Sequence, residues 1–208
     1  MKFSARLILV LALVAAVARA TELPLLWAER LKTVVAVEFY SETETERRPT
    51  VSYGTVVDRQ GTIILPPVAV NPRMTPAQLK EFKVYLPGSS ESFPGVYLGQ
   101  DAFTGWHFVR AAEALRSRLV PITEYAAKRD IEPPLAEEIW GIGLRNKDED
   151  FSPYLLTSRV ALIQSLPQRT AIALQEVAGP GLPVFNRAGE FLGLAVSSFG
   201  QSFVQFSR

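Results

Sequence analysis

A tight glycine loop, Ala178-Gly179-Pro180-Gly181, stands just ahead of the strand-like run Pro183-Val184-Phe185. Loops of this form present nucleophiles, or gather backbone N–H groups around an anion. Its central residue is Pro180, which has neither a reactive side chain nor an N–H. Other reactive groups are few. His107 is the only histidine and cysteine is absent. That excludes thiol catalysis, disulfides, cysteine metal sites and multi-histidine metal sites, and no cofactor is expected. The Gly179/Gly181 loop lacks G-x-G-x-x-G spacing and precedes a strand, so it does not suit phosphate. His107 has the chemistry of a general base, with Asp101 as its orienting acid. Its simpler reading is a strand residue between Trp106 and Phe108, exposed or making one structural hydrogen bond. The acidic pairs Glu137–Glu138 and Asp148–Asp150 have the composition for two-carboxylate hydrolysis, but both read as solvated loops.

The elements that must position these residues are mostly short β-type runs. Pro24 to Lys32 predicts a short helix with Leu25, Leu26, Ala28 and Leu31 as a partial apolar stripe. Residues 33–40 alternate and are β-branched, whereas 41–49 is charged and reads as an exposed loop. Strands follow over 53–58 and 61–70, joined by the turn Asp58-Arg59-Gln60-Gly61. One helical turn near Pro76 precedes three strands between Lys83 and Ala112, then a helical or strand-end segment over 111–119. Further strands are predicted over 138–144, 155–166, 170–177, 183–185, 190–196 and 202–206. Asn186-Arg187-Ala188-Gly189 forms a turn in which Asn186 and Gly189 tolerate left-handed backbone. About a dozen short strands, few helices and 15 prolines argue for one all-β barrel or sandwich domain.

The first twenty residues stand apart. Lys2 and Arg6 precede an eleven-residue apolar run, and Ala18-Arg19-Ala20 ends it with small residues, the layout of a cleavable signal peptide. The run is shorter than the roughly 20 residues needed to cross a bilayer. Export to the periplasm or the extracellular space is therefore expected, without stable membrane insertion after cleavage. Cleavage after Ala20 leaves 188 residues with 19 basic and 21 acidic side chains, a net charge of −2. That balance gives no basis for nucleic-acid binding.

Three segments resemble the protease domain of the HtrA-type, trypsin-like serine peptidases. Tyr53–Val70 (YGTVVDRQGTIILPPVAV) is similar to the block ending on that family's catalytic histidine. Phe93–Ala111 (FPGVYLGQDAFTGWHFVRA) is similar to the block with its aspartate, and Glu176–Val196 (EVAGPGLPVFNRAGEFLGLAV) to the block with its nucleophile and oxyanion hole. The segments keep the family's order, and the likeness spans about residues 33 to 206. The resemblance implies two six-stranded antiparallel β-barrels with a site in the cleft between them, and the peptide-binding PDZ domain often found in the family is not expected.

Carried across residue by residue, the resemblance puts Val68 at the histidine position, Gly105 at the aspartate position and Pro180 at the serine position. Ala178, Gly179 and Gly181 take the degenerate oxyanion loop. Valine, glycine and proline can act as neither base, acid nor nucleophile. Proline also deletes an oxyanion N–H, a loss that alone costs about 10²–10³ in rate. No serine stands between Ser165 and Ser197, and the only threonine in that interval, Thr170, is ten residues before Pro180. The expectation is a non-catalytic pseudoprotease that binds a protein or peptide partner; the alternative is a serine-type endopeptidase or other hydrolase with a rebuilt site. Phe199, Phe203 and Phe206 read as part of a final barrel strand, or alternatively as an exposed peptide-docking strand.

Overall fold

Six consecutive residues, Val34 to Phe39, are buried because the first strand is covered on both faces: one lines its own barrel and the other meets a second barrel. The computed structural model describes residues 23–126, 133–164, 170–198 and 201–206, so the expected signal peptide and Phe199 lie outside the described residues. The first barrel comprises β1 (Val34–Glu42), β2 (Arg47–Val56), β3 (Thr62–Leu65), β4 (Leu79–Tyr85), β5 (Ser92–Gln100) and β6 (His107–Ala111). It closes in the order β1-β2-β3-β6-β5-β4, all pairs antiparallel. The second comprises β7 (Glu138–Leu144), β8 (Pro153–Gln164), β9 (Thr170–Ala173), β10 (Pro183–Asn186), β11 (Phe191–Ser198) and β12 (Gln201–Phe206). Its order is β10-β11-β12-β9-β8-β7, and the β7–β10 ladder closes the ring. The expected all-β fold of two six-stranded antiparallel barrels is present.

Closure leaves no free sheet edge, so each barrel depends on filling its interior. Phe39, Phe82 and Tyr97 stack in the first, with ring centroids 4.9 and 5.3 Å apart. In the second, Trp140 packs against Phe185 at 4.6 Å. One apolar cluster crosses the seam, joining Val34, Ala36 and Tyr85 of the first barrel to Phe151, Leu182 and Val184 of the second.

A helix over residues 23–30 docks on the second barrel. Leu26 and Trp27 pack against the shared core, and Arg30 donates through Nε to the Gly189 carbonyl at 2.9 Å. The Arg30 guanidinium lies 3.6 Å from the Tyr125 ring centroid, a stacked cation on an otherwise apolar surface. A Cβ at Gly189, whose φ is +78°, would meet Leu26 at 3.0 Å, so this glycine serves both turn and helix.

Several boundaries differ from the sequence reading. The charged segment 41–49 is largely strand: β1 runs to Glu42 and β2 starts at Arg47, with Thr43–Glu46 making the turn. A solvated outer barrel face accepts such residues, and charge alone does not separate it from a loop. The strand expected over 61–70 stops at Leu65, because Pro66 and Pro67 cannot donate to the ladder and Pro67–Ala69 winds into a 3-10 turn. The strand over 170–177 stops at Ala173. Asn186 closes β10 in strand conformation, and only Gly189 in its turn takes positive φ. The strand expected over 138–144 is β7, so Glu138 of the acidic pair starts a strand and does not share a loop with Glu137.

Phe39 is fully buried against Phe82. Phe39→Ala is expected to lower unfolding free energy by about 3–5 kcal/mol, from lost burial plus the cavity left behind. Urea denaturation followed by tryptophan fluorescence measures it.

Candidate functional site

The glycine loop is built by its neighbours more than by its own sequence. The Gly179 N–H donates to the Ile142 carbonyl at 3.0 Å, the Gly181 N–H to Ala195 at 2.8 Å, and the Leu182 N–H to Gly179 at 3.0 Å. Pro180 has no N–H to give. Every donor from Gly179 to Leu182 is thus absent or bonded within the second barrel, leaving no N–H in that stretch to hold an oxyanion.

The same loop is seated on the first barrel. Thr55 Oγ1 donates to the Gly181 carbonyl at 2.8 Å, and both groups are buried. Gly181 has φ +81°, and a Cβ there would fall 2.6 Å from Pro66 Cδ and 3.1 Å from the Tyr53 carbonyl oxygen. Only glycine combines that backbone with so close an approach. On the other side of the Pro66-Pro67 step, a Cβ at Gly105 (φ +75°) would meet the Pro67 side chain at 3.4 Å. Loop 101–105, the prolyl turn carrying Val68, and the Gly179–Leu182 turn therefore lie side by side. Val68 itself points outward and is 75% exposed, while Pro180 is partly buried. Ala178 is buried in the seam core.

The residues with candidate chemistry are otherwise engaged. Asp101 caps its turn, accepting from the Thr104 N–H at 2.8 Å and from the Thr104 hydroxyl. Those bonds hold its carboxyl below the ordinary carboxylate range. Gln100 donates to the Gly105 carbonyl at 3.0 Å and braces the same loop. His107 begins β6 and is buried, with Nδ1 2.9 Å from Tyr97 Oη. That is the single structural hydrogen bond of its simpler reading; Nε2 makes none. Burial lowers the His107 pKa.

The acidic pairs behave differently from each other. Asp148 and Asp150 are exposed on the β7–β8 connection. Glu137 is half-buried, and desolvation together with the charge of Glu190 raises its pKa. Among the described residues no group of three or more His, Asp or Glu side chains is placed to hold a metal ion. Phe203 and Phe206 lie in β12, which pairs with β11 and β9.

The sequence reading missed the platform beneath the loop. Tyr53 packs under Gly179, where a Cβ would be 3.7 Å from its ring, and Tyr53 Oη donates to the Arg145 carbonyl at 3.4 Å. Arg145 in turn lies 5.4 Å from the Tyr154 ring centroid. No local motif signals a tyrosine that supports a loop 126 residues away. Phe103, the tip of loop 101–105, is 98% exposed beside the prolyl turn.

No protein-family model matches this chain, and no curated protein matches it either.

Gly181→Ala forces a Cβ into Pro66 and left-handed strain onto the new residue, and is expected to cost on the order of 1–3 kcal/mol; denaturant titration measures the loss. A depressed His107 pKa gives stability that is full above the unfolded value of 6.5 and is lost as pH falls through the folded value. Thermal midpoints measured from pH 7.5 down to pH 5 should therefore decline below about pH 6.5. Part of that decline should disappear in His107→Gln.

Proposed function

We propose that this protein is an exported, non-catalytic binding module: a pseudoprotease of the trypsin-like kind that uses the cleft between its barrels to hold a protein or peptide partner. The observation that carries the reading is the Gly179–Leu182 turn. It sits against the prolyl turn, whose other side meets loop 101–105, yet it has Pro180 at its centre and N–H groups committed to Ile142, Ala195 and Gly179. A nucleophile elbow needs a hydroxyl or thiol and free donors beside it. This turn supplies a proline ring.

The neighbouring surface supports binding. Val68 and Phe103, 75% and 98% exposed, place apolar side chains on the turns at this cleft. Both turns are braced, one by two prolines and the other by the Asp101 cap. Braced apolar groups lose little entropy on contact and make effective anchors. The alternative, a hydrolase with a rebuilt site, has one feature in its favour, the Tyr97–His107 pair. His107 is buried and Tyr97 half-buried, so a substrate would need the chain to open around the imidazole.

Purified protein should take no label from a fluorophosphonate probe and leave unfolded casein intact at neutral pH. Peptides selected on it by phage display should bind Val68→Asp and Phe103→Asp at least about tenfold more weakly, the size expected for lost anchors. Labelling or cleavage abolished by substituting one named serine or threonine would overturn the reading in favour of the hydrolase.

A further inference from the structure

The connection between β7 and β8 belongs to the second barrel but is fastened to the first. Lys147, in the 3-10 turn Lys147–Glu149, reaches across and donates to both carboxylate oxygens of Glu38, at 2.7 and 2.8 Å. Glu38 lies on β1 with its side chain only 5% exposed, and Tyr85 Oη completes the site at 2.7 Å. Four residues after Lys147, Phe151 is fully buried with its ring 5.0 Å from that of Tyr85, and its carbonyl accepts from the Gly88 N–H at 3.2 Å.

This fastening holds an unfavourable backbone. Asp150 and Phe151 both take positive φ, +52° and +53°. Asp adopts the left-handed region at modest cost, but a bulky aromatic there is an outlier that persists only where surroundings enforce it. Burial of the Phe151 ring, the Gly88 bond to its carbonyl and the Lys147–Glu38 pair are the contacts that tie the segment to the first barrel. The segment also borders the cleft, since the Arg145 carbonyl accepts from Tyr53 beneath the glycine loop.

We propose that residues 145–152 form a strained, ion-latched flap, closed onto the first barrel while Glu38 is ionised and released when Glu38 takes up a proton. Neutral Glu38 keeps its Tyr85 contact but loses its attraction for Lys147, which is half-exposed and has water at hand. The charged and titratable groups around Glu38 are Lys147 from the flap and Tyr85 and Lys83 from β4; the residue opposite it on β2 is Val51. Asp148, Asp150 and the Arg145–Glu149 pair are exposed on the flap. Desolvation alone would raise the Glu38 pKa; the bonds from Lys147 and Tyr85 outweigh it and leave the group below its ordinary value of 4.5. A depressed carboxylate stabilises the closed form above that value and stops doing so as pH falls through its folded pKa. The flap is thus latched at neutral pH and released in acid. The inference does not depend on what the cleft binds.

Hydrogen exchange read by mass spectrometry on the whole protein tests it at pH 7, where Glu38→Gln mimics the protonated carboxyl. Protection of the amides of Glu149 to Ser152 should fall at least about tenfold in Glu38→Gln and in Lys147→Met, as expected for local opening. Amides of β2, β3, β10 and β11 should keep their protection, and Lys147→Arg should retain a closed flap. Unchanged protection across the flap would overturn the latch. So would an equal loss over both barrels, because the pair would then contribute only to global stability. In the parent protein, protection factors corrected for intrinsic rates should fall in the flap between pH 5 and pH 3 before they fall elsewhere; simultaneous loss would count against the proposal.

Discussion

Seating the Gly179–Leu182 turn against Tyr53, Thr55 and Pro66 is the constraint on which the two-barrel arrangement depends. Thr55 Oγ1 and the Gly181 carbonyl are both buried, so each would be left an unsatisfied polar group if the seam formed without their bond. Across the same seam Val34, Ala36 and Tyr85 complete an apolar cluster whose other members are mostly in the second barrel. Short strands alone give each barrel a small interior. Sharing one wall lets the chain bury β1 on both faces, which accounts for the apolar run Val34–Val37 at its start.

That seam also decides what the glycine loop can do. Gly181 must stay glycine because of Pro66, and its N–H must bond Ala195 to hold the turn on the second barrel. A loop with those two obligations is a structural joint. The apolar groups on the neighbouring turns, Val68 and Phe103, stand at the surface. The turns that carry them are braced, one by Pro66 and Pro67 and the other by the Asp101 cap. The flap adds a second bridge of different character, ionic and strained where the glycine turn is neutral and relaxed.

Much of the fold was legible in the sequence because it rests on local chemistry. Asp58 and Gly61 specify their turn: Asp58 Oδ1 accepts from Gln60 and Thr62 while Gly61 takes φ +75°. β7 matches its sequence span residue for residue. Errors arose where one local pattern serves two structures. The charged run at 41–49 suits an outer barrel face as well as a loop, and the apolar run through Pro66 and Pro67 conceals a strand end. At the candidate site, the reading of His107 as a strand residue with one structural hydrogen bond agrees with its contact to Tyr97, whereas the turn-capping role of Asp101 was not foreseen. Tyr53 and the Glu38–Lys147 pair were not legible, because their partners are 92 and 109 residues away.

By itself the sequence determined composition-level chemistry and local conformation: no thiol, one histidine, a proline at the heart of a glycine loop, and a dozen β-type runs with their turns. These follow from residue identity and backbone preference, which need no partner. Tertiary structure decided which runs close into which barrel, that the loops around Val68, Gly105 and Pro180 lie together, and that Lys147 neutralises a carboxylate on the other barrel. Those outcomes depend on side chains far apart along the chain meeting in a dry seam, where an unpaired polar group or a misfitting Cβ is most costly.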